Sequence, residues 1–265
     1  MRLTSDLLFK AVTGGLLLFL VLLLAGVLVS IAYFTDLGTL LSAFLSDEVL
    51  FAVKLSLLTA TAATVISLGV TVPAAYALSR SEFPGKGLVD TLLNVPIVLS
   101  PIALGVALLI FFSNTPIGVV VESSLLKFVF EVPGLVLAQF TVVSALAIRI
   151  MKSTFDGLDP RYENMARILG CNKFQAFFRV TLPLSKNGLV AAAVLAWARA
   201  LGEFGATVTL AGAVRMKTET LPIAIFLSLA TADVAKATAV ILILLGVAVV
   251  VLIATQRVMG RRFVF

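Results

Sequence analysis

Two residues of opposite charge, Arg199 and Glu203, lie four positions apart in an otherwise apolar stretch of the chain. On a helix this spacing places both side chains on one face, where they can form an ion pair. A charged side chain at the centre of a bilayer costs about 2.5–3.5 kcal/mol on insertion scales, so it usually faces protein or water. We therefore interpret the pair either as a structural ion pair that fixes helix packing or, with Phe204 and Gly205, as part of a pathway or gate.

Few other residues could support catalysis. The chain has no His and a single Cys, Cys171, which excludes a disulfide framework and any metal site rich in His or Cys. It also lacks a Gly-x-x-x-x-Gly-Lys-Ser/Thr phosphate-binding loop, because Gly85-Lys86 has neither the upstream glycine nor the following hydroxyl. We expect no catalytic residue, no metal and no cofactor bound by this chain.

A second group of polar residues lies in the segment 159–170. Asp159 is a good N-cap, Pro160 suits the first helical position, and Gly170 suits a C-terminal stop in the left-handed conformation. The segment predicts a helix of about 15 Å, which is too short and too polar to cross a membrane.

The faces of this short helix differ in character. The apolar face is formed by Tyr162, Met165, Ala166 and Leu169. On another face, Glu163 and Arg167 are spaced to pair with each other. The apolar face needs a partner, which is either the chain's own helices or a second protein.

The elements that position these residues are long apolar helices. Of the residues, 60% are hydrophobic and 13% are charged, whereas a soluble domain has about 25% charged residues. A membrane helix needs about 20 apolar residues, and the stretches that meet this requirement are 11–34, 49–79, 89–113, 133–153, 186–212 and 234–257. We predict an all-α membrane protein with about six transmembrane helices, folded as a single transmembrane domain over residues 1–265.

The distribution of basic residues predicts the orientation. With the N-terminus inside, most Lys and Arg residues fall in inner segments, among them Arg161, Arg261 and Arg262, whereas Lys127 and Lys217 fall in outer loops. Cytoplasmic loops carry the excess of Lys and Arg in membrane proteins. Both termini and the loop of about 154–185 are therefore expected on the cytoplasmic side of the plasma membrane.

The loop also contains a longer spaced motif. Three residues separate Asn164-Met165-Ala166 from Gly170, and nine more lead to Val180-Thr181-Leu182-Pro183. This pattern resembles the Glu-Ala-Ala, Gly, Ile-x-Leu-Pro motif of inner membrane permeases of ABC importers. Asn164 stands in place of the motif's Glu, with Glu163 one position earlier. Which of these side chains makes the usual polar contact stays open.

The resemblance implies a type I ABC importer permease architecture, in which the short helix is a coupling helix that docks on a cytoplasmic ATPase. The ATPase-coupling residues it implies are Glu163, Asn164, Met165, Ala166, Arg167, Leu169 and Gly170. It further implies a second copy of the chain, two ATPase subunits that bind ATP and Mg, and an extracytoplasmic binding protein.

Other segments suggest the substrate class. The stretch 202–207 resembles the fifth-helix signature of permeases for molybdate, tungstate and sulfate, and 75–80, 83–86 and 218–222 also fit these permeases. The resemblance is strongest to the molybdate/tungstate type, so it implies a permease that translocates an oxyanion. A sulfate or thiosulfate ABC permease and an ATPase-independent secondary transporter remain as alternatives.

Overall fold

The computed structural model describes residues 2–124 and 126–259, with side chains for 9–124 and 126–254. The predicted all-α fold is confirmed over these ranges. The helices are α1 (Arg2–Phe34), α2 (Leu37–Leu45), α3 (Asp47–Arg80), α4 (Lys86–Val98), α5 (Pro101–Asn114), α6 (Pro116–Ser124), α7 (Val132–Asp156), α8 (Arg161–Ile168), α9 (Lys173–Ala176), α10 (Leu182–Leu184), α11 (Lys186–Leu201), α12 (Gly205–Ala211), α13 (Leu221–Ala230) and α14 (Val234–Met259). A π-helical turn, Phe177–Thr181, joins α9 to α10.

Within the described residues, four helices are long and apolar enough to cross a membrane, and the number of spans reaches six when each of two bent helix pairs is counted as one span. The four single spans lie in α1, α3, α7 and α14. The bent pairs are Lys86–Val98 with Pro101–Asn114, at 113°, and Lys173–Leu184 with Lys186–Leu201, at 72°. The prediction of about six spans is therefore confirmed, although two of them are not straight helices.

The predicted span 89–113 contains Pro96 and Pro101, which indicate a break, and the structure has a break there. Helix α4 ends at Val98, and α5 begins at Pro101 after a sharp turn. Pro101 has no backbone N–H to continue the first helix, and Ser100 Oγ accepts a hydrogen bond from Ala103 N at 3.3 Å, which caps the second. Pro73 has no comparable effect, since α3 continues through it.

The predicted span 186–212 is also interrupted, so the prediction of one continuous helix there was wrong. Helix α11 ends at Leu201, and α12 begins at Gly205. We call the residues between them, 202–204, the helix break. A break inside a membrane requires its freed backbone groups to find partners in protein or water.

Helix α3 lies at the centre of the packing. Its small residues Ala60 and Ala75 are fully buried, and they belong to two apolar clusters shared with α7 and α11. Small residues allow membrane helices to approach closely, which favours van der Waals packing in lipid. The result is a tight three-helix core from which the functional segments project.

The segment Leu221–Ala230 packs against the bundle as α13. Leu221, Ile223 and Ala224 are buried. Leu221 N donates a hydrogen bond of 2.7 Å to Ser56 Oγ on α3. Helix α13 therefore packs one face into the bundle, while Phe226 and Leu229 on its other side are exposed.

Candidate functional site

The short helix of the 154–185 loop is α8. It spans Arg161–Ile168, inside the predicted 159–170. Asp159 Oδ1 accepts a hydrogen bond of 2.9 Å from Arg161 N, as expected for a capping side chain. The helix start predicted from sequence is thus shifted by about one residue, within the uncertainty of helix ends.

The end of α8 is set by Gly170, which adopts φ of +94°. Gly170 N donates to Arg167 O at 3.1 Å, and Cys171 N donates to Ala166 O at 3.0 Å. These two bonds form a Schellman motif, whose left-handed residue is usually glycine. The predicted left-handed stop is therefore confirmed.

The apolar face of α8 divides into a buried and an exposed part. Ala166 is 8% exposed and packs into the protein, whereas Tyr162 and Met165 are 58% and 59% exposed and Leu169 is 80% exposed. The prediction that these four residues share one surface was wrong for Ala166. The other three join exposed neighbours in what we call the loop surface: Tyr162, Met165, Ile168, Leu169, Phe174 and Phe178.

The buried side of α8 is held by Glu163. Its Oε1 lies 3.0 Å from Arg80 Nε, and its Oε2 accepts a hydrogen bond of 2.8 Å from Tyr76 OH. The expected pair between Glu163 and Arg167 was wrong, because Glu163 points to the end of α3 while Arg167 is exposed. Asn164, at the motif's Glu position, is also exposed. Glu163 therefore bonds within the chain, whereas Asn164 faces outward.

We refer to Tyr76, Arg80 and Glu163 as the Glu163 clamp. The Tyr76 ring packs edge-on against Phe155 of α7 and Phe177 of the π-helical turn, with centroids 5.8 and 4.7 Å apart. Phe155 is fully buried. The aromatic packing fixes the Tyr76 hydroxyl where it can donate to the carboxylate.

The second half of the spaced motif forms the bend that joins the loop to α11. Val180 and Thr181 lie in the π-helical turn, and Pro183 lies in α10 just before the 72° bend. Beyond the bend, a Cβ on Gly188 would overlap the Thr154 side chain of α7. The motif therefore forms the bend, and Gly188 beyond it permits the close approach of α11 to α7.

The predicted ion pair of Arg199 and Glu203 is present. Arg199 Nη1 lies 2.6 Å from Glu203 Oε2, although this contact lacks hydrogen-bond alignment. The Glu203 side chain is 1% exposed and that of Arg199 is 38% exposed. Glu203 Oε1 accepts a hydrogen bond of 2.8 Å from Ala206 N and so caps α12. The carboxylate thus serves both the ion pair and the restart of the helix.

A buried glutamine that sequence reasoning did not single out stabilises the other side of the helix break. Gln139 Nε2 donates to Ala200 O at 3.0 Å, and Glu203 N donates to the same carbonyl at 3.1 Å. Gln139 is 1% exposed. Its signal was an amide side chain inside the apolar stretch 133–153, where polar groups usually serve a specific contact.

The helix break lies against the bend between α4 and α5. A Cβ on Gly205 would stand 2.9 Å from Pro101 Cβ and 3.0 Å from Ile102 N. On the other side, a Cβ on Gly105 would overlap Thr209 Oγ1. The close approach of the two segments therefore depends on glycine at position 205. Gly202 has no such role, because the nearest atom to a Cβ there is Ala198 O of its own helix, at 3.8 Å.

A cavity of about 460 Å³ opens between α4 and α7 near the loop. Its lining residues are Asp90, Asn94, Ile148, Arg149, Lys152, Ser153 and Asp156. Lys152 Nζ lies 3.3 Å from Asp156 Oδ2. The other oxygen of this carboxylate, Asp156 Oδ1, accepts a hydrogen bond of 2.6 Å from Ser79 Oγ. The cavity is therefore lined by both cationic and carboxylate side chains.

The ends of the helices opposite the loop are joined by further ion pairs. Glu48, in the first turn of α3, pairs with Lys236 of α14 and lies 3.5 Å from Arg215 Nη1. Lys217 Nζ lies 2.6 Å from Glu131 Oε1. These contacts fasten the segment 212–220 to α3 and α7.

Comparisons with known proteins agree with this arrangement. Residues 67–264 match the family described as the binding-protein-dependent transport system inner membrane component. A probable molybdenum ABC transporter permease of Haloferax volcanii is 38% identical over 218 residues, which cover 79% of this chain and 78% of the relative. The molybdenum transport system permease of Escherichia coli K12 is 37% identical over 186 residues, covering 69% of this chain and 80% of the relative.

The fold is also similar to a solved structure. A bacterial alginate ABC transporter, in complex with an alginate pentasaccharide-bound periplasmic protein, contains a chain that superposes with a TM-score of 0.79 at 16% identity. The superposition covers 98% of this chain and 96% of that one. Given the family match over residues 67–264 and relatives of more than 35% identity, this chain belongs to the inner membrane components of binding-protein-dependent transport systems, the permease subunits of ABC importers.

Proposed function

We propose that this permease translocates an oxyanion, molybdate or tungstate, which an extracytoplasmic binding protein delivers. Two observations support the substrate. Relatives at 37% and 38% identity are named as molybdenum permeases, and the stretch 202–207 resembles the signature of permeases for such anions. The substrate would cross as a dianion, which costs about 4.6 kcal/mol against 100 mV, negative inside. Coupling to ATP hydrolysis would meet this cost.

The observation that carries the proposal is the loop surface. Tyr162, Met165 and Leu169 are exposed on a helix that the Glu163 clamp holds against the bundle. Exposed apolar surface gains about 25 cal/mol per Å² when a partner covers it. The partner we assign is a cytoplasmic ATPase subunit, because the loop carries the spaced motif through which permeases of this family resemble one another.

The coupling residues then have separate roles. Met165 and Leu169 enter the ATPase groove, and Asn164 and Arg167 make polar contacts at its rim. Glu163 and Ala166 face the permease, where they hold the helix in place. Gly170 ends the helix so that the chain can turn back. ATP and Mg are bound by the ATPase, and this chain hydrolyses no ATP.

The orientation follows from the charge bias. The loop and both termini lie in the cytoplasm, and the segment 212–220 faces the binding protein. Arg261 and Arg262, which contribute to the bias, lie outside the described residues. The protein is a multi-pass component of the plasma membrane.

A second copy of this chain completes the pathway. The side chains of Val98, Leu99 and Ile102, at the bend between α4 and α5, are 86%, 40% and 54% exposed. This apolar bend packs on the helix break through Gly205, so an interface here would bring two breaks close together. Two permease copies, each with one ATPase subunit, form the complete membrane complex.

The helix break serves as the gate. Arg199, Glu203, Phe204 and Gly205 lie where α11 ends and α12 begins. Arg199 is partly exposed while Glu203 is buried, so the guanidinium can meet an anion without exposing the carboxylate. ATP-driven closure of the ATPases moves α8, and the break changes its packing against α5 as the bundle opens outward.

Reconstitution tests the function. The permease, its ATPase and its binding protein are placed in proteoliposomes, and molybdate uptake is measured with and without ATP. We expect uptake only with ATP and binding protein, resistant to excess sulfate. Displacement of molybdate by sulfate would favour the sulfate permease. Uptake that persists without ATP would favour a secondary transporter.

A further inference from the structure

Helix α3 connects the loop to the opposite end of the bundle without a break. It has 34 residues, which corresponds to about 51 Å at 1.5 Å per residue. Arg80, in its last turn, holds Glu163 of α8. Glu48, in its first turn, pairs with Lys236 and Arg215. A single helix thus carries ion pairs to other segments at both of its ends.

The Glu163 clamp is a strong attachment. Both carboxylate oxygens of Glu163 are used, one by Arg80 and one by Tyr76. The Arg80 and Glu163 side chains are 14% and 13% exposed. Hydrogen bonds to charged groups are stronger than neutral ones, and loss of one partner leaves the other charge poorly solvated.

Arg80 also holds the chain just before α8. Its Nη2 donates a hydrogen bond of 2.9 Å to Leu158 O. One guanidinium therefore fixes both the entry to α8 and, through Glu163, its first turn. The planar fork of Arg suits such divided bonding, which Lys could not reproduce.

The covalent connections of α8 lead to other helices. Residues 157–160 join it to α7, and α9, the π-helical turn and the 72° bend join it to α11. The clamp adds a connection through side chains from α8 to α3. Helix α3 in turn packs closely on α7 in two buried apolar clusters. Ala75 of α3 belongs to one of them and Ala147 of α7 to the other.

We propose that the Glu163 clamp transmits the displacement of α8 to α3, with Arg80 and Tyr76 as positioning residues. This proposal rests on the proposed function, in which the ATPase moves α8. The side chains of the clamp face the bundle, and those of the loop surface face outward. Opening the clamp therefore leaves ATPase docking intact but separates hydrolysis from transport.

The test measures coupling in the complete reconstituted complex. ATP hydrolysed and oxyanion moved are determined in the same proteoliposomes, and assembly is measured by co-purification of the ATPase. For Glu163→Gln we expect normal assembly and about tenfold less anion moved per ATP, the scale of losing one charged hydrogen bond. Tyr76→Phe should act in the same direction with a smaller effect, since it removes a neutral donor.

Two further variants make the result decisive. Glu82→Gln removes a nearby carboxylate that pairs with Lys86 at the surface and is 88% exposed, so its transport per ATP should match the unsubstituted protein. The charge exchange Arg80→Glu with Glu163→Arg should recover transport per ATP relative to either single change. If the double variant recovered only ATPase assembly and not transport per ATP, the clamp would have a merely structural role and the proposal would be overturned.

An unchanged ratio of transport to hydrolysis in Glu163→Gln would also overturn the proposal. The proposal would likewise be overturned if Glu163→Gln lost ATPase binding while the complexes that still formed moved as much anion per ATP as the unsubstituted protein. The proposed function fails differently, because the unsubstituted complex would then show no ATP-dependent uptake of any oxyanion. If the unsubstituted complex moves an oxyanion other than molybdate, the ratio is measured with that anion.

Discussion

Gly205 and Pro101 meet where two interrupted helices touch, with 2.9 Å between Pro101 Cβ and the position of a Cβ on Gly205. Each residue begins a helix, α12 and α5 respectively. A larger side chain at position 205 would push the two interrupted helices apart. The contact therefore couples the shape of the proposed gate to that of the proposed dimer interface.

Gly205→Val should disrupt this contact. The added side chain would overlap Pro101 and Ile102, and overpacking of this kind costs about 1–3 kcal/mol. We expect a lower melting temperature in detergent and reduced uptake. The matched control is Gly246→Val on α14, where a Cβ meets nothing within 4 Å. Equal melting temperatures for the two variants would show that the breaks are not tightly packed together.

Glu203→Gln tests the ion pair at the helix break. The amide oxygen of Gln can still accept from Ala206 N, so the change removes mainly the charge that pairs with Arg199. Because Arg199 is partly exposed, we expect a loss of about 1–3 kcal/mol in stability, together with weaker uptake. Thermal unfolding and transport are both measured.

A double-substitution cycle gives the control for this pair. Arg199→Gln combined with Glu203→Gln should cost less than the sum of the two single changes, because neither charge is then left unpaired. Strict additivity, with unchanged transport in Glu203→Gln, would mean that the pair has no role in either packing or gating.

Gly170→Val should impair ATPase docking while the protein remains in the membrane. A residue with a side chain in the left-handed conformation costs roughly 1–2 kcal/mol, and Gly170 has φ of +94°. The strain would loosen the end of α8, so we expect less ATPase to co-purify. Gly170→Asn is the matched variant, since Asn tolerates this conformation better. Equal docking by both variants would contradict a conformational role for Gly170.

Met165→Asp should abolish docking without affecting the fold. Met165 is 59% exposed and belongs to the loop surface, so a charge there costs the free permease little. In the complex the carboxylate would be buried against apolar groups, which is unfavourable unless it is paired. We expect an unchanged melting temperature for the permease and loss of co-purifying ATPase. Retained ATPase would place the docking site elsewhere.

The sequence predicted those features that depend on neighbouring residues. Asp159 and Gly170 define the ends of α8 through local capping chemistry, and the i, i+4 spacing of Arg199 and Glu203 indicated their pairing. These contacts lie within a few residues of one another, so their geometry follows from helix periodicity.

Features that depend on distant residues escaped prediction. Glu163 is 83 positions from Arg80, and nothing in the local pattern favours that partner over Arg167. Pro96 and Pro101 indicated the break between α4 and α5. The break at 202–204 was missed because an apolar stretch without proline has the same composition whether it is straight or interrupted. Two contacts with distant residues, the packing of Gly205 on Pro101 and the hydrogen bond from Gln139, stabilise the break at 202–204 together with the local cap from Glu203.

The sidedness of α8 is the central claim, and Cys171 gives a direct way to measure it. It is the single cysteine of the chain, it directly follows Gly170, and it is partly exposed. We predict that a membrane-impermeant maleimide leaves Cys171 unlabelled in intact cells, labels it in inside-out vesicles that hold the permease alone, and labels it more slowly once the ATPase is bound. Labelling of Cys171 in intact cells, or labelling that bound ATPase never slows, would contradict the account.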